Sequence, residues 1–352
     1  MSLESLKGKV TDEALDKFGS AWQRSEEVLR AARDSVAESL EGADLAAGSI
    51  CIAAVGSTAR HEAMKASDID LIPIWTGDRS EFPHFEDLTG KVREDLRRAT
   101  GLDVSTSRDL MRSTELSTLC SAAGIGGDQD HRRTLTQRML VLTESQHLGG
   151  GYDISKVRRQ ILEAYVGTRE DERSVSKHPL AVCNDIARYY RTLCVDYKSR
   201  AETKPESWAE RHAKLRNARK LWYFGTLLAL SKSAAQHRGS DYAKLFDALE
   251  STFAQPPILR LISASTRENL PHASNILNLY AQYLDDMSDQ QFRERLKAVD
   301  FEERESERLP GGDENPYRAM LIRSRQMSQS MVEMMLASDA ETREKVFSWF
   351  FL

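Results

Sequence analysis

Ser49-Ile50-Cys51-Ile52-Ala53-Ala54-Val55-Gly56-Ser57 and, a short stretch later, Ser67-Asp68-Ile69-Asp70-Leu71-Ile72-Pro73-Ile74-Trp75 decide the fold of this chain. The first is an apolar run ended by a glycine, the pattern of a strand buried on both faces. The second is apolar after an acidic start and predicts another strand over 68–75, with a short helical segment between the two. Side chains alternate along a strand, so Asp68 and Asp70 project from one side about 7 Å apart, while Ile69 and Leu71 face the other way. Two anions crowded at the head of an apolar strand call for a compensating cation. Mg²⁺ suits the place, with Mn²⁺ as its substitute, because both take carboxylate oxygens and Mg²⁺ prefers these together with substrate phosphates. The plainer alternative is a solvated strand end.

Gly56 and Ser57 supply the other half of the expected site. Gly56 permits close approach and an unusual turn, and Ser57 is placed to cap the helix that follows, whose first N–H groups would face an anion. Arg60, about one turn on, either adds a charge-assisted contact to a phosphate or pairs with Glu62 and its neighbours. In-line phosphoryl transfer with two metals needs a further carboxylate near the attacking hydroxyl. Asp103, in the strand-like run 102–105, is the candidate, with turn chemistry after Gly101 as its alternative. Asp109 and Asp128 compete for the role.

Glycine-serine, then Asp-x-Asp on a strand, then a later strand aspartate resembles the DNA polymerase β nucleotidyltransferase superfamily over residues 50–105. The fuller pattern, Gly56-Ser57 with Arg60, Glu62 and Ser67-Asp68-Ile69-Asp70, is similar to the branch containing the nitrogen-regulatory uridylyltransferases and related nucleotidyltransferases. The resemblance implies that Ser57 binds a nucleoside triphosphate, that Asp68 and Asp70 hold both metals, and that Asp103 serves one metal and the nucleophile. The chain departs from the uridylyltransferases in having no downstream His-Asp phosphohydrolase pattern and no paired regulatory domain. His61-Glu62-Ala63-Met64-Lys65 begins like a zincin motif, but Lys65 stands where the second histidine must be. No G-x-x-x-x-G-K-[ST] loop and no G-x-G-x-x-G fingerprint occurs in a suitable context.

Outward from this centre, residues 11–41 carry Leu15, Phe18, Trp22, Leu29, Ala32, Val36 and Leu40 at helical steps and predict a long amphipathic helix. Helices are also predicted over 88–99, 107–119 and from about 132, where Leu135, Met139 and Leu142 share a face. A short third strand is predicted over 101–105, and a glycine loop over 124–128. Gly149-Gly150-Gly151 breaks the pattern. Beyond it helical periodicity dominates, at about 154–167, 179–198, 208–234, 240–254 and 274–300, and the charged stretch 301–315 reads as a surface linker to helices over 317–337 and 340–351.

The expected fold is α+β: a polymerase β-like nucleotidyltransferase domain with a small mixed sheet over 1–150, then an all-α domain over 151–302, with linker and final helices over 303–352. In the helical half Asn184, Asp185, Arg188, Tyr189, Arg191 and Asp196 crowd one segment, and Lys214, Arg216, Arg219 and Lys220 the next. They form either a solvated face or a cleft wall in which Lys214 and Lys220 meet the triphosphate and Tyr189 stacks on a base. Arg132, Arg133 and Arg138 invite the same pair of readings. Met320, Met327, Met331 and Met334 recur on one face and read as core.

The chain has 352 residues, 40% of them hydrophobic and 29% charged, within ordinary globular usage. A formal net charge of -5 opposes broad binding to nucleic-acid backbones, which requires a basic surface. The four cysteines are widely spaced and read as small buried hydrophobes in a reducing compartment. No leader pattern and no membrane-spanning apolar run is visible, so a soluble cytoplasmic protein is expected. The apolar segment 346–352 is expected to dock on the body or on a second copy of the chain. The expected substrates are a nucleoside triphosphate and a hydroxyl acceptor, which the residues do not specify.

Overall fold

The computed structural model describes residues 2–41, 49–65, 67–77, 84–104, 112–121, 125, 131–166, 179–203, 208–237, 242–310 and 312–350. The chain divides into two compact units. One comprises Ala21–Asp185 with Gln236–Pro256, and the other Met1–Ser20, Ile186–Ala235 and Pro257–Leu352. Helices dominate both, and the chain is mixed α and β.

Among the described residues, four strands form one mixed sheet in the first unit, in the order β3-β2-β1-β4. They are β1 (Ile50–Val55), β2 (Asp70–Trp75), β3 (Thr114–Glu115) and β4 (Gln146–Gly149). β1 runs antiparallel to both β2 and β4, and β3 runs parallel to β2. All six residues of β1 are buried, as its uninterrupted apolar run requires of a strand covered on both faces.

One face of the sheet offers Ile50, Ile52, Ala54, Leu71 and Trp75. These pack with Leu29, Ala32 and Val36 of the helix Asp12–Leu40 and with Phe85, Leu88, Val92 and Leu96 of the helix Phe85–Thr100. Each large apolar side chain buried there contributes roughly 1.5–3 kcal/mol. Every residue from Leu135 to Thr143 in the helix Arg132–Thr143 is buried. A helix enclosed on all sides has no polar stripe, so the three-residue face expected there accounts for only part of its packing.

Several sequence expectations change with the tertiary contacts. Gly149-Gly150-Gly151, expected as a break at a domain boundary, is held to the sheet: Gly149 pairs with Ile52 at the end of β4, and the Tyr152 N–H donates to the Ile50 carbonyl at 3.0 Å. The compact units accordingly do not divide at 150. The helix expected over 107–119 is replaced, within its described part, by β3 and the single turn Leu116–Leu119. The third strand over 101–105 reduces to one parallel bridge, Ile69 with Val104. Asp109, Asp128 and nearly all of the loop 124–128 lie outside the described residues.

The second unit is built of helices. Leu270–Ser288 and Pro316–Leu336 bury Ile276, Leu277, Tyr280 and Leu284 on one side and Met320, Met327, Met331 and Met334 on the other, the core role expected for the methionines. The stretch 208–236 is interrupted: Trp208–Lys214 and Lys220–Gln236 are α-helical, and Leu215–Arg219 between them is π-helical. Pro257–Ala264 is a further helix. It escaped the periodicity because seven of its eight residues are buried. Val346 is fully buried and Phe347 is 37% exposed, so the C-terminal helix Ala340–Phe350 docks by part of its apolar surface. No helix among the described residues is long and apolar enough to cross a membrane.

Candidate functional site

The end of β1 and the start of β2 are locked by register, since Val55 pairs directly with Asp70. The chain leaves β1 through Gly56, whose φ is +77°, into the single helical turn Gly56–Ala59. A side chain at Gly56 would place its Cβ 2.6 Å from Oδ2 of Asp70. The Asp70 carboxylate therefore sits against the backbone at this turn, and both the left-handed φ and the contact disfavour a side chain at this position. Ser57 lies inside the turn, half-buried. It does not cap the turn as expected, because the cap position belongs to Val55, which makes no side-chain capping bond.

Asp68 precedes β2 rather than beginning it. Ile69, between the two aspartates, is fully buried, so alternation turns Asp68 and Asp70 to the opposite side. Asp68 is exposed and Asp70 half-buried. Asp103 arrives on the far side of β2: the helix Phe85–Thr100 ends at Gly101 in the left-handed conformation, φ +65°, and the chain turns back along the sheet. The Ile69 N–H donates to the Asp103 carbonyl at 2.9 Å. Val104 is buried in the same core as Ile69, whereas the Asp103 side chain is 84% exposed and lies 3.5 Å from Arg97. The structure thus brings Gly56, Ser57, Asp68, Asp70 and Asp103 to neighbouring positions at one end of β1 and β2.

Arg60 goes elsewhere than to a phosphate. Its side chain is 5% exposed; Nε donates to Glu62 at 2.8 Å, and a second nitrogen pairs with Glu144. Both carboxylates are buried. The ion group ties the turn after β1 to the end of the helix Arg132–Thr143. Of the two readings of Arg60, the structure realises the pairing with Glu62, and adds a partner that sequence proximity did not suggest.

His61 follows with φ +59°, a conformation rare for residues other than glycine and found where the surroundings enforce it. It is buried against Trp22, ring centroids 4.0 Å apart, with Nε2 3.3 Å from Glu26, and its Nδ1 has no hydrogen-bond partner. Burial, aided by the charge of Arg33, pushes its pKa down to about 4. Residues 61–65 are not helical, which removes the zincin geometry as well as its second histidine.

The remaining candidates lie in different settings. Arg138, Tyr165 and Asp185 form a fully buried group in the same unit as the sheet. The Tyr165 hydroxyl donates to Asp185 at 2.7 Å, and Arg138 bonds Tyr165 at 3.0 Å and Asp185 at 3.3 Å. These are core residues rather than cleft residues. Tyr189 is likewise buried, edge-on to Trp222 at 5.3 Å, and has no open face for a base. Lys214 and Lys220 belong to the other unit. There Lys214 pairs with Glu210 at 3.0 Å, and Lys220 donates to Ser328 at 2.8 Å with its pKa lowered to about 8 by burial and by Arg216.

Among the described residues, no group of three or more His, Cys, Asp or Glu side chains is gathered to hold a metal by itself. Asp68 and Asp70 nevertheless fit a hard cation that completes its shell with water and phosphate oxygens, as Mg²⁺ commonly does. Asp103 adjoins them through its backbone, while its exposed carboxylate lies beside Arg97. Comparison of the chain with protein-family models, with curated proteins and with solved structures gave no match.

Proposed function

We propose that the chain is a nucleotidyltransferase, moving a nucleoside monophosphate from a nucleoside triphosphate to a hydroxyl acceptor. The observation that carries this reading is the seating of the Asp70 carboxylate against Gly56, with Asp68 on the same side of the strand and Asp103 bridged in beside them. Aspartates at such a turn suit triphosphate chemistry: Gly56 lets the Asp70 carboxylate seat against the backbone, and Ser57 is at hand for a phosphate oxygen.

In the proposed reaction the acceptor oxygen forms a bond to the α-phosphorus, the bond from that phosphorus to the bridging oxygen breaks, and pyrophosphate departs. Asp103 receives the proton of the attacking hydroxyl. Asp68 and Asp70 would hold Mg²⁺ or Mn²⁺, which when bound offsets charge on the attacking and leaving oxygens. Arg60 acts as a positioning residue, fixing the turn through Glu62 and Glu144, and takes no part in phosphate binding. Lys214 and Lys220 carry no role in this proposal.

A second reading is a nucleotide-binding regulatory protein that does no chemistry. The observation favouring it is that the described residues contain no self-sufficient metal-binding group. Incubation with each α-labelled nucleoside triphosphate and Mg²⁺, wild type beside the Asp68→Ala/Asp70→Ala variant, separates the two. Pyrophosphate release that depends on the aspartates supports the transferase. Aspartate-dependent binding without release supports the regulatory protein. If neither binding nor release depends on them, both readings fail.

A further inference from the structure

The helical unit contains a cavity of about 460 Å³ that the proposed transfer chemistry does not use. Its volume is typical of a small-molecule site. One side is aromatic: Trp208, Tyr317 and Phe301 meet there, with the Trp208 ring edge-on to Tyr317 at 4.6 Å and to Phe301 at 5.2 Å. Trp208 and Tyr317 are almost wholly enclosed, whereas Phe301 is 49% exposed. The Trp208 indole N–H donates to the Val299 carbonyl at 2.8 Å, which fixes the ring from behind. The Tyr317 hydroxyl lies 2.5 Å from Nδ1 of His212. Phe301, with the Arg304 guanidinium 4.3 Å from its ring centre, is the part of this wall open to a ligand's ring, and Trp208 and Tyr317 back it.

The other side is cationic. Lys198, Arg216, Arg304 and Arg325 line the cavity against a single carboxylate, Glu305. In a chain whose overall charge is negative, this local excess is not a reflection of composition. Among the described residues, Lys198, Arg216 and Arg325 make no ion pair, and Nε of Arg216 is buried with no hydrogen-bond partner. Cations gathered around one cavity without paired carboxylates repel one another, and an anion seated among them relieves that cost. Arg216 also lies in the π-helical segment Leu215–Arg219, and π-bulges concentrate at functional sites because they re-aim side chains at a cost in helix geometry. Phe301, Arg304 and Glu305 come from the charged stretch that sequence reading treats as a plain linker. Here it forms a wall.

We propose that this cavity binds an aromatic phosphate of nucleotide size, its ring against the Phe301, Trp208 and Tyr317 side and its phosphates on Arg216, Arg304 and Arg325. Nucleoside phosphates are the commonest cellular compounds of that build, and guanidinium groups are the side chains best shaped to take phosphate oxygens two at a time. The site stands apart from the Asp68 and Asp70 reading and does not depend on it.

The test uses the full chain carrying Asp68→Asn and Asp70→Asn, so that the aspartate site does not contribute. ADP, GDP, CDP and UDP are titrated in turn by calorimetry, with Trp fluorescence as a second readout because Trp208 lies in the cavity wall. The expected result is saturable binding of at least one diphosphate. The matching nucleoside and inorganic pyrophosphate should each bind more weakly, and Arg216→Gln and Arg325→Gln should each weaken the diphosphate about tenfold. Arg325 is exposed, so its variant keeps the test decisive if Arg216→Gln does not fold. Failure of all four diphosphates, pyrophosphate binding as tightly as the diphosphate, or binding indifferent to the arginine changes would overturn the proposal.

Discussion

Oδ2 of Asp70 occupies the space that a side chain on Gly56 would need, at 2.6 Å from where its Cβ would lie. The two positions are joined by register, Asp70 pairing with Val55 one residue before the glycine. A change at either position is therefore felt at the other. The expected cost of Gly56→Ala is about 1–3 kcal/mol, from a left-handed φ and a steric conflict together. Urea unfolding of Gly56→Ala, Asp70→Ser and the double variant measures it. The double variant should recover the steric share and retain the conformational one, giving a clear coupling energy. Strict additivity would show that the two positions are not in contact.

Arg60 is enclosed with Glu62 and Glu144, and removing one member of such a group leaves buried charge uncompensated. Arg60→Met should cost about 3–5 kcal/mol. Arg60→Lys should cost less than Arg60→Met while still losing the two-sided geometry of the guanidinium. Chemical denaturation checks the order. If Arg60→Met were as stable as wild type while losing affinity for triphosphate, the phosphate-contact reading would return.

The Tyr165 hydroxyl and the Asp185 carboxylate are fully buried beside Arg138. Burial, then the Asp185 charge, keeps the phenol protonated well above its ordinary range, so it serves as a donor throughout the useful pH span. Tyr165→Phe should cost about 1–2 kcal/mol by leaving an acceptor of Asp185 unsatisfied. Asp185→Leu should cost more, since Arg138 would then be buried without its carboxylate. Equal costs for the two would place Arg138's stabilising partner elsewhere.

His61 gives a pH dependence whose sign follows from its environment. Its folded pKa is about 4, below the ordinary 6.5, so the neutral ring favours the folded state. That stability is complete above about pH 6.5 and is lost as pH falls towards 4, a contribution on the order of 3 kcal/mol. In His61→Asn, where asparagine tolerates the left-handed backbone, the fall in unfolding free energy between pH 6.5 and 4 should be smaller than in wild type. Identical profiles would remove His61 as the source.

Much of the candidate site is legible in the amino-acid sequence because its features are local. An apolar run closed by Gly56 has few other uses than a strand entering a tight turn, and a period of two places Asp68 and Asp70 on one side whatever surrounds them. The same holds for the helix Asp12–Leu40, whose apolar stripe predicts its ends to within one residue. Periodicity finds the helix Arg132–Thr143 from Leu135, Met139 and Leu142, but misses Pro257–Ala264, a short helix with seven of its eight residues buried.

The sequence by itself determined two strands, the glycine turn between them and the shared side of the two aspartates, all set by φ preference and side-chain alternation over a few residues. Only the tertiary structure decided what depends on distant pairing. It turned Arg60 to Glu144, set Asp103 beside Ile69 through one bridge, placed Gly149 at the end of an edge strand, and folded the charged stretch after Val299 into a cavity wall. Spacing along the chain carries no record of such contacts, because burial and ion pairing act between residues that only the fold brings near each other.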